Sequence, residues 1–270
     1  LRAALDAGAR SFLIGIGGSA TNDGGAGMLA ELGVRYLDSA GQELPSRPHD
    51  LRHIARVDVS GLDPRIRDAH IEVACDVTNP LLGTNGATAV FGPQKGARPE
   101  DVSALDDVLR RVAECDGSIT SASNPGDGAA GGIGHALRYH LGAQLRRGID
   151  LVLDATNLSE VVRGADLVFT GEGSVDAQTL YGKTPSGVLA VARRAQIPCV
   201  ILAGQVKEDA QVLLSEGALA LLPITNGATD LATALANGAR NLERTTEMAV
   251  RLFCADTTPQ RDPRPRPHQD

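Results

Sequence analysis

Tryptophan is absent, and three Tyr and four Phe are the only aromatics among 270 residues. With so few stacking platforms, single-stranded nucleic acid is a poor expectation for a partner. A net charge of -7 points the same way for duplexes and for anionic membrane surfaces. No apolar run approaches the roughly 20 residues that span a bilayer and no signal-peptide pattern opens the chain, so the reading is a cytoplasmic protein. Cysteine is scarce: Cys75, Cys115, Cys199 and Cys254 are scattered, with no CxxC pair and no His at zinc-ligand spacing. That favours reduced, mostly buried thiols over any metal or redox role. An initiator Met is missing as well. The chain opens on "LRAALDAGAR" as though inside an amphipathic helix that closes at Gly8, which leads to the expectation of a longer protein cut short at its N-terminus.

What the sequence has in quantity is glycine, 31 residues, within a 42% hydrophobic composition able to fill a sizeable core. Short β-rich runs alternate with longer helical patterns, so the expected class is α/β with parallel strands. Strands are predicted at 11–16, 71–75, 166–170, 198–203 and 218–222. Helices are predicted at 26–32, 100–115, 133–142, 184–195, 207–216 and 229–253. In the last of these Leu231, Leu235, Ala239, Leu242 and Met248 fall near helical spacing, with Thr229 or Asp230 as cap. Long glycine-rich loops crowd the first half and a regular β-loop-α series fills the second. Domains are therefore drawn at 1–150 and 151–254, with 255–270, carrying four prolines, as a disordered tail. The composition is compatible with a homo-oligomer.

Four loops carry the candidate chemistry. The stretch "IGIGGSATNDGGAG", Ile14 to Gly27, holds six glycines behind an apolar run. Gly15, Gly17 and Ala20 fit a dinucleotide fingerprint with Asp38 further on, which keeps a nucleotide-cofactor oxidoreductase open; yet "TNDGG" delays the helix, and the fingerprint needs it at once. The same glycines can instead turn several N–H groups toward one anion. Gly17, Gly18, Ser19, Thr21, Asn22 and Asp23 are thus candidates for binding substrate or phosphate, with Asp23 able to orient a hydroxyl or hold a cation. After the second strand come Asp76, a candidate general base or metal ligand, then Asn79, and Lys95 as an anion clamp. Each of these suits an ordinary turn equally well. "NPGDGAAGGIGHAL", from Asn124, reads as a hinge or helix start, and His135 and His140, five apart, as surface or capping residues. The fourth loop, "TGEGSVDAQTLYGKT", offers Gly171, Glu172, Gly173, Asp176 and Lys183 at a helix start. A Walker A motif fails because position 177 is Ala, but Gly171 and Gly173 permit close backbone approach, Lys183 supplies a point charge, and Asp176 or Glu172 suits Mg²⁺.

Taken together, "IGIGGSATNDGGAGML", "ACDVTNPLLGTNGA", "FGPQKGA", "GAAGGIG" and "TGEGSVDAQTLYGKTPSGVLAVA" resemble the type I glycerate kinases, in the right order over roughly residues 1–250. The resemblance implies ATP- and Mg²⁺-dependent phosphorylation of D-glycerate, mildly favouring the 2-hydroxyl. It implies a Rossmann-like domain split in sequence, returning in the second half here, and a second α/β domain inserted into it, most of residues 1–150. Asp76 and Asp176 would supply base and metal ligand, with Lys95 and Lys183 on phosphates or carboxylate. Family members begin with a strand and an Asp-Ser-Phe-Lys-type loop and carry an Asp-Gly-Gly-Glu-Gly block; neither occurs here. A glycerate- or nucleotide-binding fragment without turnover is the alternative within the family.

Overall fold

The computed structural model describes residues 1–256; the expected tail lies almost wholly outside them. The chain divides into two compact units at Leu151 and Val152.

The first unit begins with α1 (Arg2–Asp6), which ends at a left-handed Gly8. There follow β1 (Ser11–Gly15), α2 (Ala26–Glu31), β2 (Arg35–Leu37), β3 (Glu43–Leu44), β4 (Arg56–Asp58) and β5 (His70–Ala74). Then come α3 (Ala87–Phe91), α4 (Val102–Cys115), α5 (Ile133–Leu141) and β6 (Gln144–Arg146), after which α6 (Gly148–Ala155) runs across the division between the units. Strands β1, β5 and β6 form a parallel sheet in that order, with Gly15 level with Ala74 and Ala74 level with Arg146. The loops leaving the three strands therefore emerge along one edge, where ligands bind in open α/β sheets. A second sheet, β3-β2-β4, is antiparallel, and neither it nor β6 is expected from sequence: strands of two or three residues are too short to show an alternating pattern.

Helix α4 is amphipathic. Val108, Leu109, Val112 and Ala113 are its buried residues, while Asp107 and Arg110 stay in water. Leu137 and Leu141 of α5 lie in the core with Leu29, Ile71 and Val73. Leu137→Ala would cost about 2–5 kcal/mol through lost transfer energy and the cavity left behind.

The second unit holds β7 (Val168–Val175), α7 (Thr184–Arg194), β8 (Cys199–Val206) and β9 (Ala220–Pro223), with a parallel sheet ordered β7-β8-β9. Cys199 to Ala203 are all buried, as a central parallel strand covered on both faces requires. The helix expected at 207–216 is a 3₁₀ turn, Glu208–Gln211, running into one α-turn, Val212–Ser215. The helix expected at 229–253 is broken into α8 (Leu231–Ala236) and α9 (Gly238–Asp256). Asp230 does cap α8, accepting from Thr233 N. The predicted apolar stripe is not the buried one, however: Leu231 and Leu235 are 74% and 73% exposed, Leu242 and Met248 are exposed too, and Asn241, Thr245 and Ala249 are buried instead. Among the thiols only Cys199 is fully buried; Cys75 and Cys115 are half-buried and Cys254 is exposed, so the expectation of mostly buried cysteines is too strong.

Candidate active site

In the first unit the glycine loop after β1, the Asp76 turn after β5 and the Lys95 turn enclose a cavity of about 350 Å³. Gly17, Gly18, Ser19, Cys75, Asp76, Gln94, Lys95, Ala129 and Ala130 are among its lining residues. A Cβ on Gly17 or Gly18 would meet nothing within 4 Å, so those glycines leave the backbone open to a ligand. Lys95 Nζ donates to Thr21 O at 2.8 Å, which keeps the ammonium at the cavity and ties the two loops together. Partial burial lowers its pKa, with the nearby Asp23 charge opposing. Asp76 accepts from Gly148 N, at the start of α6, through Oδ1 at 2.8 Å. Burial raises the pKa of the Cys75 thiol, which donates to Val77 O and is no thiolate nucleophile at neutral pH.

The other residues singled out in these loops serve the turns. Asp23 accepts from Gly25 N through Oδ1 and from Gly27 N through Oδ2, satisfying two donors where α2 begins. Asn22 donates to Thr88 Oγ1, and its own Oδ1 is buried without a hydrogen-bond partner. Asn79 donates from its side chain to Asn85 O. The dinucleotide fingerprint fails in three dimensions as well: α2 starts only at Ala26, and Asp38 accepts from Ala40 N and Gln42 N in its own turn.

Of the two histidines expected at the surface or in a cap, His135 is buried, and His140 is half-buried with only 6% of its side chain exposed. His140 Nε2 lies 2.9 Å from Asp116 Oδ2 and His135 Nδ1 lies 3.0 Å from Asp127 Oδ2. A spacing of five places them on different faces of α5, and the fold covers both faces.

In the second unit charged side chains gather at the ends of β7 and β8. Strand β7 runs to Val175, so Gly171, Glu172 and Gly173 lie within it. Gly171 is required there by the sheet: a Cβ would come within 2.3 Å of Leu202 O on β8, whereas at Gly173 the space is open. Lys183 Nζ stands 3.6 Å from both Glu172 Oε1 and Asp176 Oδ1. Lys207 donates to Asp176 Oδ2 at 2.9 Å, and Thr179 donates to Glu172 Oε1 at 2.7 Å. The Lys207 hydrogen bond, aided by the Lys183 charge, lowers the pKa of Asp176, and Asp176 in turn raises that of Lys207. Lys207 is missing from the sequence expectations; its signal was available, since it directly follows β8 as Asp176 follows β7. Lys183 immediately precedes α7, whose first turn has no side-chain cap and presents N–H groups to an anion. Among the described residues no cluster of three or more acids, His or Cys is placed to hold a metal by itself.

A family model described as "Glycerate kinase family" matches residues 1–254. The chain belongs to the glycerate kinase family. A glycerate kinase of Bacillus subtilis is 49% identical over 259 residues, 94% of this chain and 68% of that protein. A glycerate 2-kinase of Escherichia coli is 47% identical over 220 residues, 79% of this chain and 57% of that protein. A crystal structure of a protein described as glycerate kinase 2 from Salmonella typhimurium LT2 aligns with a TM-score of 0.79 at 44% identity, covering 96% of this chain and 68% of that one. As a glycerate kinase family member this is a phosphotransferase. Among the described residues no helix is long and apolar enough to cross a membrane.

Proposed function

We propose that this chain phosphorylates D-glycerate with ATP, the 2-hydroxyl being the acceptor. The observation that carries the reading is the first-unit cavity, about 350 Å³ with Lys95, Asp76 and open glycine backbone on its walls. Its size suits a three-carbon acid. Lys95 spends one of its three donors on Thr21 O and has two for a carboxylate or phosphate. Asp76 is held through one oxygen by Gly148 N–H, which leaves the other to accept the hydroxyl proton as it is phosphorylated. The 2-position is supported by the name of the Escherichia coli relative, a glycerate 2-kinase.

The second-unit cluster suits the phosphates of ATP. Lys183 and the N–H groups opening α7 offer fixed positive charge, and phosphoryl transfer depends on positioning and neutralisation more than on covalent chemistry. Two carboxylates against two ammonium groups leave no surplus negative charge for a bare divalent ion. They fit Mg²⁺ arriving with phosphate, a metal that keeps water and phosphate ligands beside one or two carboxylates. Glu172 and Asp176 would hold it, and the buried Asp176 Oδ1, without a hydrogen-bond partner, is the atom with capacity to spare. Bound there, Mg²⁺ neutralises charge on the phosphates.

A coupled ADP-release assay with D-glycerate and ATP tests the proposal, with ³¹P NMR reading the position of the product phosphate. Asp76→Asn should lower turnover by about 10²–10⁴-fold with the fold intact. Saturable glycerate binding without glycerate-dependent ADP release would favour the binding-only alternative; unchanged turnover in Asp76→Asn would remove that residue from the chemistry.

A further inference from the structure

Ser118, His135 and Asp127 reproduce the Ser, His, carboxylate order of a hydrolytic relay, and burial takes that chemistry away. Ser118 and Asp127 have no exposed surface and His135 is 4% exposed. Ser118 Oγ is 2.7 Å from His135 Nε2, and His135 Nδ1 is 3.0 Å from Asp127 Oδ2. No substrate reaches that hydroxyl, so it is no nucleophile. The carboxylate only accepts, which puts a hydrogen on Nδ1; in the neutral ring Nε2 then accepts from Ser118. Arg138 completes the group, 3.1 Å from Asp127 Oδ1 and donating to Pro125 O at 2.6 Å.

The position of this dry group in the chain gives it a use. His135 N also donates to Asp127 O at 3.2 Å, so the segment between them is closed at its ends by main chain and side chain together. Inside that closure Ala130, Gly131 and Gly132 all have positive φ, 54°, 69° and 96°. For Ala130 this region is sterically unfavourable and persists only if its surroundings enforce it. The segment then braces two walls of the cavity. Gly131 O accepts from Gly24 N, and Gly128 N donates to Asn79 O, both at 2.9 Å. A Cβ on Gly131 would come within 2.0 Å of Thr21 O, the oxygen that holds Lys95. Ala129 and Ala130 line the cavity directly.

We infer that Ser118, His135 and Asp127 form a positioning clasp that holds the left-handed segment Ala130–Gly132 in place, and through it the Thr21–Lys95 contact and the cavity wall. The effect on kinetics rests on the cavity being the site of the acid; the clasp itself does not. The clasp acts on where the acid sits, and a general weakening of the unit would act on everything alike.

Two substitutions separate the halves of the imidazole. In His135→Asn the amide reaches the position of Nδ1 and keeps Asp127, whereas in His135→Gln it reaches that of Nε2, toward Ser118, and loses Asp127. With ATP saturating, His135→Gln should raise KM for D-glycerate by about tenfold or more with kcat within about threefold, and His135→Asn should stay within about threefold of wild type in both. Amide hydrogen exchange should show faster exchange at Gly24 N–H in His135→Gln, with the Leu137 and Leu141 amides of α5 unchanged. Wild-type KM in both variants would overturn the inference, as would losses in kcat and KM that track the melting midpoint in both alike. Should His135→Gln not fold, Asp127→Asn, whose single acceptor oxygen cannot serve both His135 Nδ1–H and Arg138, is read the same way. If the wild-type chain releases no ADP in response to glycerate, the functional reading fails and Gly24 exchange decides the clasp alone, unchanged protection overturning it.

Discussion

In the first unit Asp116, Asp127, His135 and His140 lie along or beside α5 with side chains at most 6% exposed. In the second, Lys183 and Lys207 reach Glu172 and Asp176 with their own side chains 40% and 51% exposed. Both clusters pair carboxylates with basic side chains, and what differs is the solvation of the basic partner. In the second the acids Glu172 and Asp176 are still 21% and 13% exposed while the ammonium groups stand in water. A dry charge must keep a fixed partner, because without one it is left in a poorly polarisable medium; a wet one can exchange its partner for water or a ligand at little cost. The first arrangement therefore suits holding a shape and the second suits binding something that comes and goes.

Removing one member from each cluster separates the two roles. Asp127→Ala should cost about 3–5 kcal/mol of folding free energy, because Arg138 and His135 are left facing an empty, desolvated position. Urea denaturation checks it; a loss under about 1 kcal/mol would mean that water enters and that the cluster is not dry in solution. Lys183→Met should barely move the denaturation midpoint and lower kcat/KM for ATP by about 10²–10³-fold, the scale seen when one stabilising donor is removed from a transition state. Loss of stability without loss of turnover would reverse the assignment of that cluster.

Lys95 stands between the extremes, half-buried, with one permanent acceptor and a cavity in front of it. Lys95→Met keeps the length of the stem and removes the charge. Charge-assisted hydrogen bonds contribute about 1.5–3 kcal/mol, so KM for D-glycerate should rise by roughly 10–100-fold with a smaller change in kcat. Steady-state kinetics with glycerate varied reads this directly, and an unchanged KM would take Lys95 off the acid and leave it as a tie to Thr21.

The sequence shows the wet cluster better than the dry one, for a physical reason. Candidate chemistry at strand ends is announced locally: an apolar run and then a charged residue, directly at Asp76 and after Gly171 and Gly173 at Asp176. Burial is decided by what packs on a helix from elsewhere in the chain. The spacing of His135 and His140 says that they point apart, and nothing near them says that both sides of α5 are covered. The same gap misleads at the C-terminal helices, where the period predicts helix correctly while Leu231 and Leu235 are in water. Lys207 has the same local signal of a charge directly after a strand, but only the pairing of β7 with β8 brings it to Asp176, 31 residues away. Gly171 has a local signal with a nonlocal cause, the approach of β8, and it reads equally well as room for a phosphate.

The smallest expected effect concerns the wet pair when no ligand is bound. The Asp176 pKa is lowered in the folded chain, chiefly by Lys207, so its contribution to stability is present above the ordinary carboxylate value, near 4, and is lost as pH falls through the lower folded value. Lys207 is raised, so its contribution is present below the ordinary lysine value, near 10.4, and is lost as pH rises through the higher folded value. Both contributions are therefore in place between about pH 4 and about pH 10, and both are discounted because water and salt screen a pair whose ammonium is exposed. Melting midpoints across pH for wild type and Lys207→Met should converge as pH falls through the lowered Asp176 value and separate slightly at pH 7. Adding 0.5 M NaCl should close most of that separation. A difference that persisted in salt would show Asp176 and Lys207 to be as dry as Asp127 and His135, and the contrast between the two clusters would collapse.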